Sequence, residues 1–378
     1  MLFLAALTTL VLAGTLTDFA IGHRRMRWLK DVPPAGAGPP LSIVAAARNE
    51  AHGIEAAVKS LLRLDYPSLQ IVIVNDRSTD GTGAILQQLA AEHPRLTVTT
   101  IAELPEGWLG KNYALQVGAA DATGDLLLFT DADVVFEPTT LRRAVGLMEA
   151  EGLDHLAAIP DVRVPGLALT AFMAAFGVFF SLYSRPWKAR DPRSRAHIGI
   201  GAFNLIRAAA YRAVGGHRAI AMRPDDDMKL GKVLKQHGFR QEAVSGRGLV
   251  VVEWYATLRE LVDGLMKNAF AGVDYSLVKV AGSTIALFLV NVWPFVAVFV
   301  TGGPTRLLYG VCVVLIVLIF AISARFGGAR MVFVLAYPIA ALLFAYIMWR
   351  SALIAVTRGT ITWRGTAYPL AAMRANKV

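Results

Sequence analysis

Two carboxylates one residue apart, Asp131 and Asp133, close the stretch Gly124-Asp125-Leu126-Leu127-Leu128-Phe129-Thr130-Asp131-Ala132-Asp133. Residues i and i+2 of an extended chain point to one side, so both acids can meet one ligand. Paired hard oxygen donors suit Mg²⁺ or Mn²⁺ shared with a diphosphate; a polar turn after a core strand is the plain alternative. A second acid cluster, Asp225-Asp226-Asp227, precedes the helical pattern Met228-Lys229-Leu230-Gly231. Acids there can cap a helix and face its dipole. Crowded carboxylates also raise one another's pKa, which makes a general base. Asp76 ends the apolar run Gln70–Val74 and Asn75; it either serves a nucleotide or caps the next helix, as Asp80 is expected to do. Lys111, in Gly107-Trp108-Leu109-Gly110-Lys111-Asn112, is either a point charge for a diphosphate or a solvated lysine.

These residues need a scaffold that brings strand ends together. Leu41–Ala47, Gln70–Val74, Leu96–Ile101, Leu126–Phe129 and His155–Ile159 read as strands. Helical stretches at about 52–64 and 113–120 alternate with them, the pattern of an α/β domain whose ligands bind beyond the carboxyl ends of the strands. The turn after the first strand, Arg48-Asn49-Glu50, carries no Gly-x-Gly, so a dinucleotide site lacks its main signal. His197–Asn204 (HIGIGAFN) and Gly215-Gly216-His217 allow close backbone approach to a ligand.

The chain of 378 residues is 55% hydrophobic with a mean hydropathy of +0.49, too apolar for an ordinary soluble enzyme. Residues 1–22 carry one charge, Asp18, and Arg24, Arg25, Arg27 and Lys30 follow. Charge after the apolar run indicates a retained anchor whose following segment is cytoplasmic. Thr284–Thr301, Leu307–Ala324 and Met331–Trp349 each approach the ~20 residues of a crossing helix. Expected boundaries are an anchor at 1–22, a cytoplasmic α/β domain at 40–253, interfacial helices at 254–283, about three spans at 284–350 and a basic tail at 351–378. Val164–Ser184 reads as a helix in the membrane interface, with a buried core helix as its rival. The net charge of +10 points to anionic lipid headgroups rather than nucleic acid, because no basic stretch is interleaved with aromatics. The single Cys312 excludes internal disulfides and a cysteine zinc site.

Five motifs taken together carry a resemblance: Ala47-Arg48-Asn49-Glu50, Val74–Thr82 (VNDRSTDGT), Gly107–Asn112 (GWLGKN), Thr130–Asp133 (TDAD) and Asp226–Gly231 (DDMKLG). In this order they resemble family 2 glycosyltransferases of the GT-A fold, an α/β domain with a mixed, mostly parallel sheet flanked by helices. The Gly-Trp-x-Gly-Lys segment and membrane layout are similar to those of carotenoid (chlorobactene or diaponeurosporenoate) and hopene-associated members. The resemblance covers Leu41 to about Glu253. It implies inverting transfer from a nucleotide-sugar donor, a UDP-sugar by default, to a lipid hydroxyl at the bacterial inner membrane. Glu50 and Asp76 would hold the nucleoside, Lys111 would lie near the diphosphate, and Asp131 and Asp133 would hold donor and Mg²⁺ or Mn²⁺, Asp133 being the surer ligand. Asp227 takes the base position of the family's Glu-Asp motif, with Asp226 in place of the glutamate. The Gln-x-x-Arg-Trp motif of processive members is missing after Glu253, and Trp363-Arg364-Gly365-Thr366 departs from a related membrane motif at its fourth residue. The alternatives are a polyprenyl-phosphate glycosyltransferase and, from another class, a non-catalytic scaffold or sugar-nucleotide sensor.

Overall fold

A computed structural model describes residues 1–36 and 38–378. The chain divides into two units. One gathers Met1–Arg25, Val164–Arg185 and Tyr255–Arg374; the other gathers Met26–Arg163, Pro186–Trp254 and Ala375–Val378. In chain order the elements begin with α1 (Leu2–Arg25), β1 (Arg27–Trp28), β2 (Leu41–Ala47), α2 (Ile54–Leu62), β3 (Leu69–Asp76), α3 (Thr82–Glu92) and β4 (Leu96–Ile101). Next come α4 (Gly110–Asp121), β5 (Leu126–Asp131), β6 (Val134–Phe136), α5 (Thr140–Ala150), β7 (His155–Ile159), β8 (Asp161–Arg163), α6 (Leu167–Ser184) and β9 (Asn204–Arg207). The series continues with α7 (Ala208–Ala213), α8 (Asp226–Gln236), β10 (Gln241–Ser245), β11 (Val250–Glu253), α9 (Leu258–Ala269) and α10 (Leu277–Asn291). It closes with α11 (Trp293–Val300), α12 (Gly303–Gly327), α13 (Tyr337–Arg358), β12 (Thr360–Trp363), β13 (Thr366–Pro369) and α14 (Leu370–Ala375).

The second unit is built on an eight-stranded sheet in the order β1-β10-β7-β9-β5-β2-β3-β4. All neighbours are parallel except β9, which runs antiparallel to both β5 and β7. Helices cover both faces, and the strands are apolar on both sides as a consequence. Alternation along β5 shows it directly: Leu126 and Leu128 enter one core cluster with Ile43 and Leu156, while Leu127 and Phe129 enter another with Val44 and Ile206. Each such side chain contributes about 1.5–3 kcal/mol of burial. That packing holds the strand rigid up to the two acids at its end. A smaller sheet, β6-β11-β8, completes the unit.

In the helical unit α1 packs on α12, α6 packs on α12 and α13, and α10 packs on α13. Among the described residues four helices are long and apolar enough to cross a membrane: 2–25, 167–188, 303–327 and 331–358, the second and fourth including short 3₁₀ turns. A fifth candidate is the pair 258–273 and 277–291, bent by 106°. Large apolar side chains on this unit are exposed, Phe3, Val278 and Phe299 each at more than 80%. Such a surface suits hydrocarbon better than water. The run Thr284–Thr301, read from sequence as one helix, is interrupted: α10 stops at Asn291 and α11 starts at Trp293 with Pro294 in its first turn. Proline lacks the N–H that would continue the helix. Polar groups at the break find partners, Asn291 Oδ1 accepting from Tyr337 Oη at 2.9 Å and Trp293 Nε1 donating to Tyr309 Oη at 3.1 Å. Within the stretch Val164–Ser184, expected to lie in the membrane interface, Leu167–Ser184 forms α6; it belongs to the helical unit and, with its 3₁₀ extension, is long and apolar enough to cross a membrane.

Candidate active site

The functional side chains expected from sequence lie at the ends of β2, β3 and β5, at the start of α4 and at the start of α8. Strand β3 ends on Asp76, which is buried and held by two arginines. Arg77 Nε meets Oδ1 at 2.7 Å and Arg77 Nη2 meets Oδ2 at 3.2 Å; Arg48 Nη1 stands 3.8 Å from Oδ2. Two guanidinium groups thus give this buried acid the charged partners that its burial demands. Neither arginine was singled out from the sequence, although Arg77 follows Asp76 directly and Arg48 ends the first strand.

The turns after β2 and β3 are laced together. Asn49 Oδ1 accepts from Thr79 N at 2.8 Å, Glu50 N donates to Thr82 Oγ1 at 2.8 Å, and Asp80 Oδ2 accepts from Ala51 N at 3.1 Å. Asp80 also accepts from Thr82 N and Oγ1 at the first residue of α3; the cap position itself is Gly81, so Asp80 braces the helix start from one residue ahead of the cap expected of it. Both turns hold a non-glycine residue in the left-handed region, Asn49 and Arg77 at φ 54°. Such strain is tolerated where surrounding bonds fix it, and it is common at functional sites.

Strand β5 delivers Asp131, and Asp133 follows on the turn into β6. The Asp131 side chain is 41% exposed. Asp133 is exposed as well, yet dense surroundings, and then the like charges of Asp131 and Glu50, push its carboxyl up to about 6. Glu50 thus bears electrostatically on the aspartate pair. Among the described residues no group of three or more acid, histidine or cysteine side chains is arranged to hold a metal ion.

The second acid cluster sorts into three roles. Asp225 pairs with Arg223 through two bonds, Nε–Oδ1 at 3.0 Å and Nη2–Oδ2 at 3.1 Å, with both side chains buried. That bidentate pair braces the start of α8. Asp226 is buried and faces Lys111, whose Nζ lies 3.2 Å from Oδ2. The same Nζ lies 2.8 Å from Asp131 Oδ1, so one ammonium bridges the strand acid and the helix acid. Burial opposes the charge on Lys111, but Asp131, Asp226 and Asp227 together raise its pKa above the ordinary lysine range. Asp227 Oδ2 accepts the Gly201 N–H at 2.7 Å and Oδ1 accepts its neighbour's Met228 N–H at 2.7 Å. Burial first, and the adjacent Asp226 second, push the Asp227 carboxyl up to about 7 against the pull of Lys111.

The glycines of the 197–204 segment make this possible. A side chain at Gly199 would collide with the Asp227 carbonyl, and a Cβ at Gly201 would sit 2.7 Å from Asp131 Oδ2. The segment therefore passes as bare backbone between the two acid clusters, and its Gly201 amide anchors Asp227. A pocket lined by Lys111, Gly201, Asp226 and Asp227 is also lined by Asn204 and His217. His217 is buried, bonded through Nδ1 to Tyr211 Oη at 2.8 Å, and desolvation lowers its pKa to about 3. It is a neutral wall rather than a titrating group. His155, bonded to Asn204 Oδ1 at 2.5 Å, is lowered to about 4 by the same cause.

The profile of Glycosyl transferase family 2 matches residues 42–215, which carry the β2, β3 and β5 termini and the Gly199–Gly201 segment. The 4,4'-diaponeurosporenoate glycosyltransferase of Staphylococcus haemolyticus is 22% identical over 236 residues, 62% of this chain and 62% of its own. A beta-monoglucosyldiacylglycerol synthase of Synechocystis sp. is 38% identical over 109 residues, 28% of this chain and 22% of its own. These matches span about three fifths and about one fifth of the two relatives' lengths. Among solved structures, mannosyltransferase PcManGT from Pyrobaculum calidifontis, in complex with GDP-Man and Mn²⁺, superposes with a TM-score of 0.56 at 19% identity. That superposition covers 94% of this chain and 98% of the mannosyltransferase, and it speaks for the fold. The match to glycosyl transferase family 2 thus covers residues 42–215, and the mixed, mostly parallel sheet places those residues in a GT-A-like fold.

Proposed function

We propose that the protein is an inverting glycosyltransferase that moves a sugar from a nucleoside diphosphate, a UDP-sugar by default, to a hydroxyl of a membrane lipid. The observation that carries this reading is Asp227: a carboxylate held by the Gly201 amide, with a pKa near neutrality, sharing the field of Lys111 with Asp131. Names of relatives that act on a carotenoid acid and on a diacylglycerol support a lipid acceptor. Four apolar helices and a net charge of +10 support an integral membrane protein whose basic residues meet anionic headgroups. Arg24, Arg25 and Arg27 after the first helix favour a cytoplasmic α/β unit, roughly residues 40–253, as the catalytic domain.

In this reading Asp76 and Glu50 receive the nucleoside end of the donor. Asp131 and Asp133 are hard oxygen donors open to solvent, and two acids leave positions free for water and diphosphate oxygens, so they fit Mg²⁺ or Mn²⁺. When bound, such an ion would offset the charge that builds on the leaving diphosphate. Asp131 is partly engaged by Lys111, which leaves Asp133 the freer ligand. Asp227 takes the proton of the acceptor hydroxyl as its oxygen bonds to the anomeric carbon. The bond from that carbon to the diphosphate breaks with its electron pair leaving on the diphosphate. Attack from the face opposite the leaving group inverts the centre. Lys111 keeps Asp226 paired, so that Asp227 is the acid that moves the proton.

The test uses membranes from cells expressing the protein, supplied with labelled UDP-sugars and Mg²⁺ or Mn²⁺, with and without EDTA. Metal-dependent label in an alkali-stable neutral lipid is expected. Label in an acid-labile anionic lipid would replace this reading with polyprenyl-phosphate transfer, and donor binding without label would replace it with a non-catalytic sensor.

A further inference from the structure

The run 216–223 leads directly into the acid cluster, and it lies outside both sheets. Its backbone is held from two distant parts of the chain. Leu109 N donates to Ala221 O at 2.9 Å, and Asn112 Nδ2 lies 2.8, 3.2 and 2.9 Å from the carbonyls of Ile220, Ala221 and Arg223. The second hold comes from residue 376. Asn376 Oδ1 accepts from Met222 N at 2.9 Å and Asn376 Nδ2 donates to Ala219 O at 3.0 Å. A single amide therefore closes a two-bond bracket on residues 219–222.

The same tail reaches α8 itself. Val378 packs on the cluster that contains Leu230, Val233 and Leu234, and Lys232 Nζ donates to its main-chain oxygen at 2.6 Å. Residues 375–378 thus touch both the lead-in to the acids and the helix that carries them, and they belong to the α/β unit rather than the helical one. The motif match ends at residue 215, so none of these contacts falls inside it.

We infer that Asn376 is a positioning residue that fixes residues 219–222 and, through them, the point at which α8 presents Asp226 and Asp227. The inference rests on the base role proposed for Asp227. A displacement of 1 Å at a base is enough to slow proton transfer strongly, and a backbone run without sheet pairing moves easily once its bracket is removed. The donor acids Asp76, Asp131 and Asp133 sit on other elements, and Asp131 meets the α8 acids through Lys111 rather than through residues 219–222, so the bracket bears on the α8 acids before it bears on donor binding.

The test uses the full chain purified in detergent, with two substitutions. Asn376→Leu keeps the volume and removes both bonds; Asn376→Asp keeps the acceptor for Met222 N–H. For Asn376→Leu we expect kcat to fall roughly tenfold with the donor KM unchanged within about twofold. Protection of the Met222 amide against hydrogen exchange should fall in the same variant. Asn376→Asp should restore most of both. Wild-type kcat and wild-type Met222 protection in Asn376→Leu would overturn the inference, as would a loss that tracks the melting temperature and is not restored by aspartate. If the wild-type protein transfers no sugar, Met222 exchange still decides whether the bracket exists, and only the base role falls.

Discussion

The two acid clusters at the head of the sheet are built from the same residue type and are given different surroundings. Asp131 and Asp133 stand open to solvent at the end of β5, with Lys111 on one of them. Asp226 and Asp227 lie at the start of a helix, where Asp226 is paired with the same lysine and Asp227 with the Gly201 amide. Open carboxylates are suited to a cation and a charged donor, whereas a sheltered carboxylate near neutrality is suited to moving a proton. Environment, rather than residue type, separates the two roles proposed for them.

The difference is broken most severely at Asp227. Asp227→Asn keeps shape and the Gly201 contact but removes the base, and we expect transfer to fall about 10²–10⁴-fold. Donor binding should persist, as checked by calorimetric titration with UDP. Asp133→Ala attacks the open cluster instead. We expect metal-dependent donor binding to be lost, read as a titration with UDP that no longer responds to EDTA, while the melting temperature stays close to wild type because the side chain is exposed.

Lys111→Met removes the bridge between the clusters and sharpens the comparison. Asp226 and Asp131 would then lose their shared cation, and a buried carboxylate that loses a charged partner costs up to about 3–5 kcal/mol. We expect reduced stability and a rise in the apparent pKa of transfer. In the wild-type protein transfer should rise with pH through about 7, because the base role proposed for Asp227 requires it to have lost its proton. A pH–rate profile at saturating donor checks that sign.

The smallest effect concerns the neutral wall. His217 and His155 have folded-state pKa values of about 3 and about 4, below the ordinary value of 6.5. Their contribution to stability is complete above pH 6.5 and is lost as pH falls toward those values, since only the unfolded chain takes up the protons. Each should tilt stability by about 1.4 kcal/mol per pH unit within that window. His217→Asn should flatten the slope measured by thermal unfolding between pH 4 and 6.

The strands that carry the acids were legible because their apolar runs are continuous and end in polar residues. Leu126–Phe129 followed by Asp131 leaves little else to read, and β5 ends on that residue. The antiparallel strand β9 was not legible, because Asn204–Arg207 is only four residues long and nothing local fixes its direction. The division of Asp225, Asp226 and Asp227 was equally hidden. It depends on Arg223, Lys111 and Gly201, partners that only the folded chain brings within reach. The break at Trp293 had a local sign in Pro294, which hydropathy alone outweighed.

The central claim is that binding and proton transfer reside in separate carboxylates. The most direct measurement is single-turnover sugar transfer by Asp227→Asn with donor, metal and lipid acceptor all saturating. We predict a bound donor and a rate reduced at least about a hundredfold. A bound donor transferred at the wild-type rate would contradict the assignment of the base and, with it, the division of labour between the two clusters.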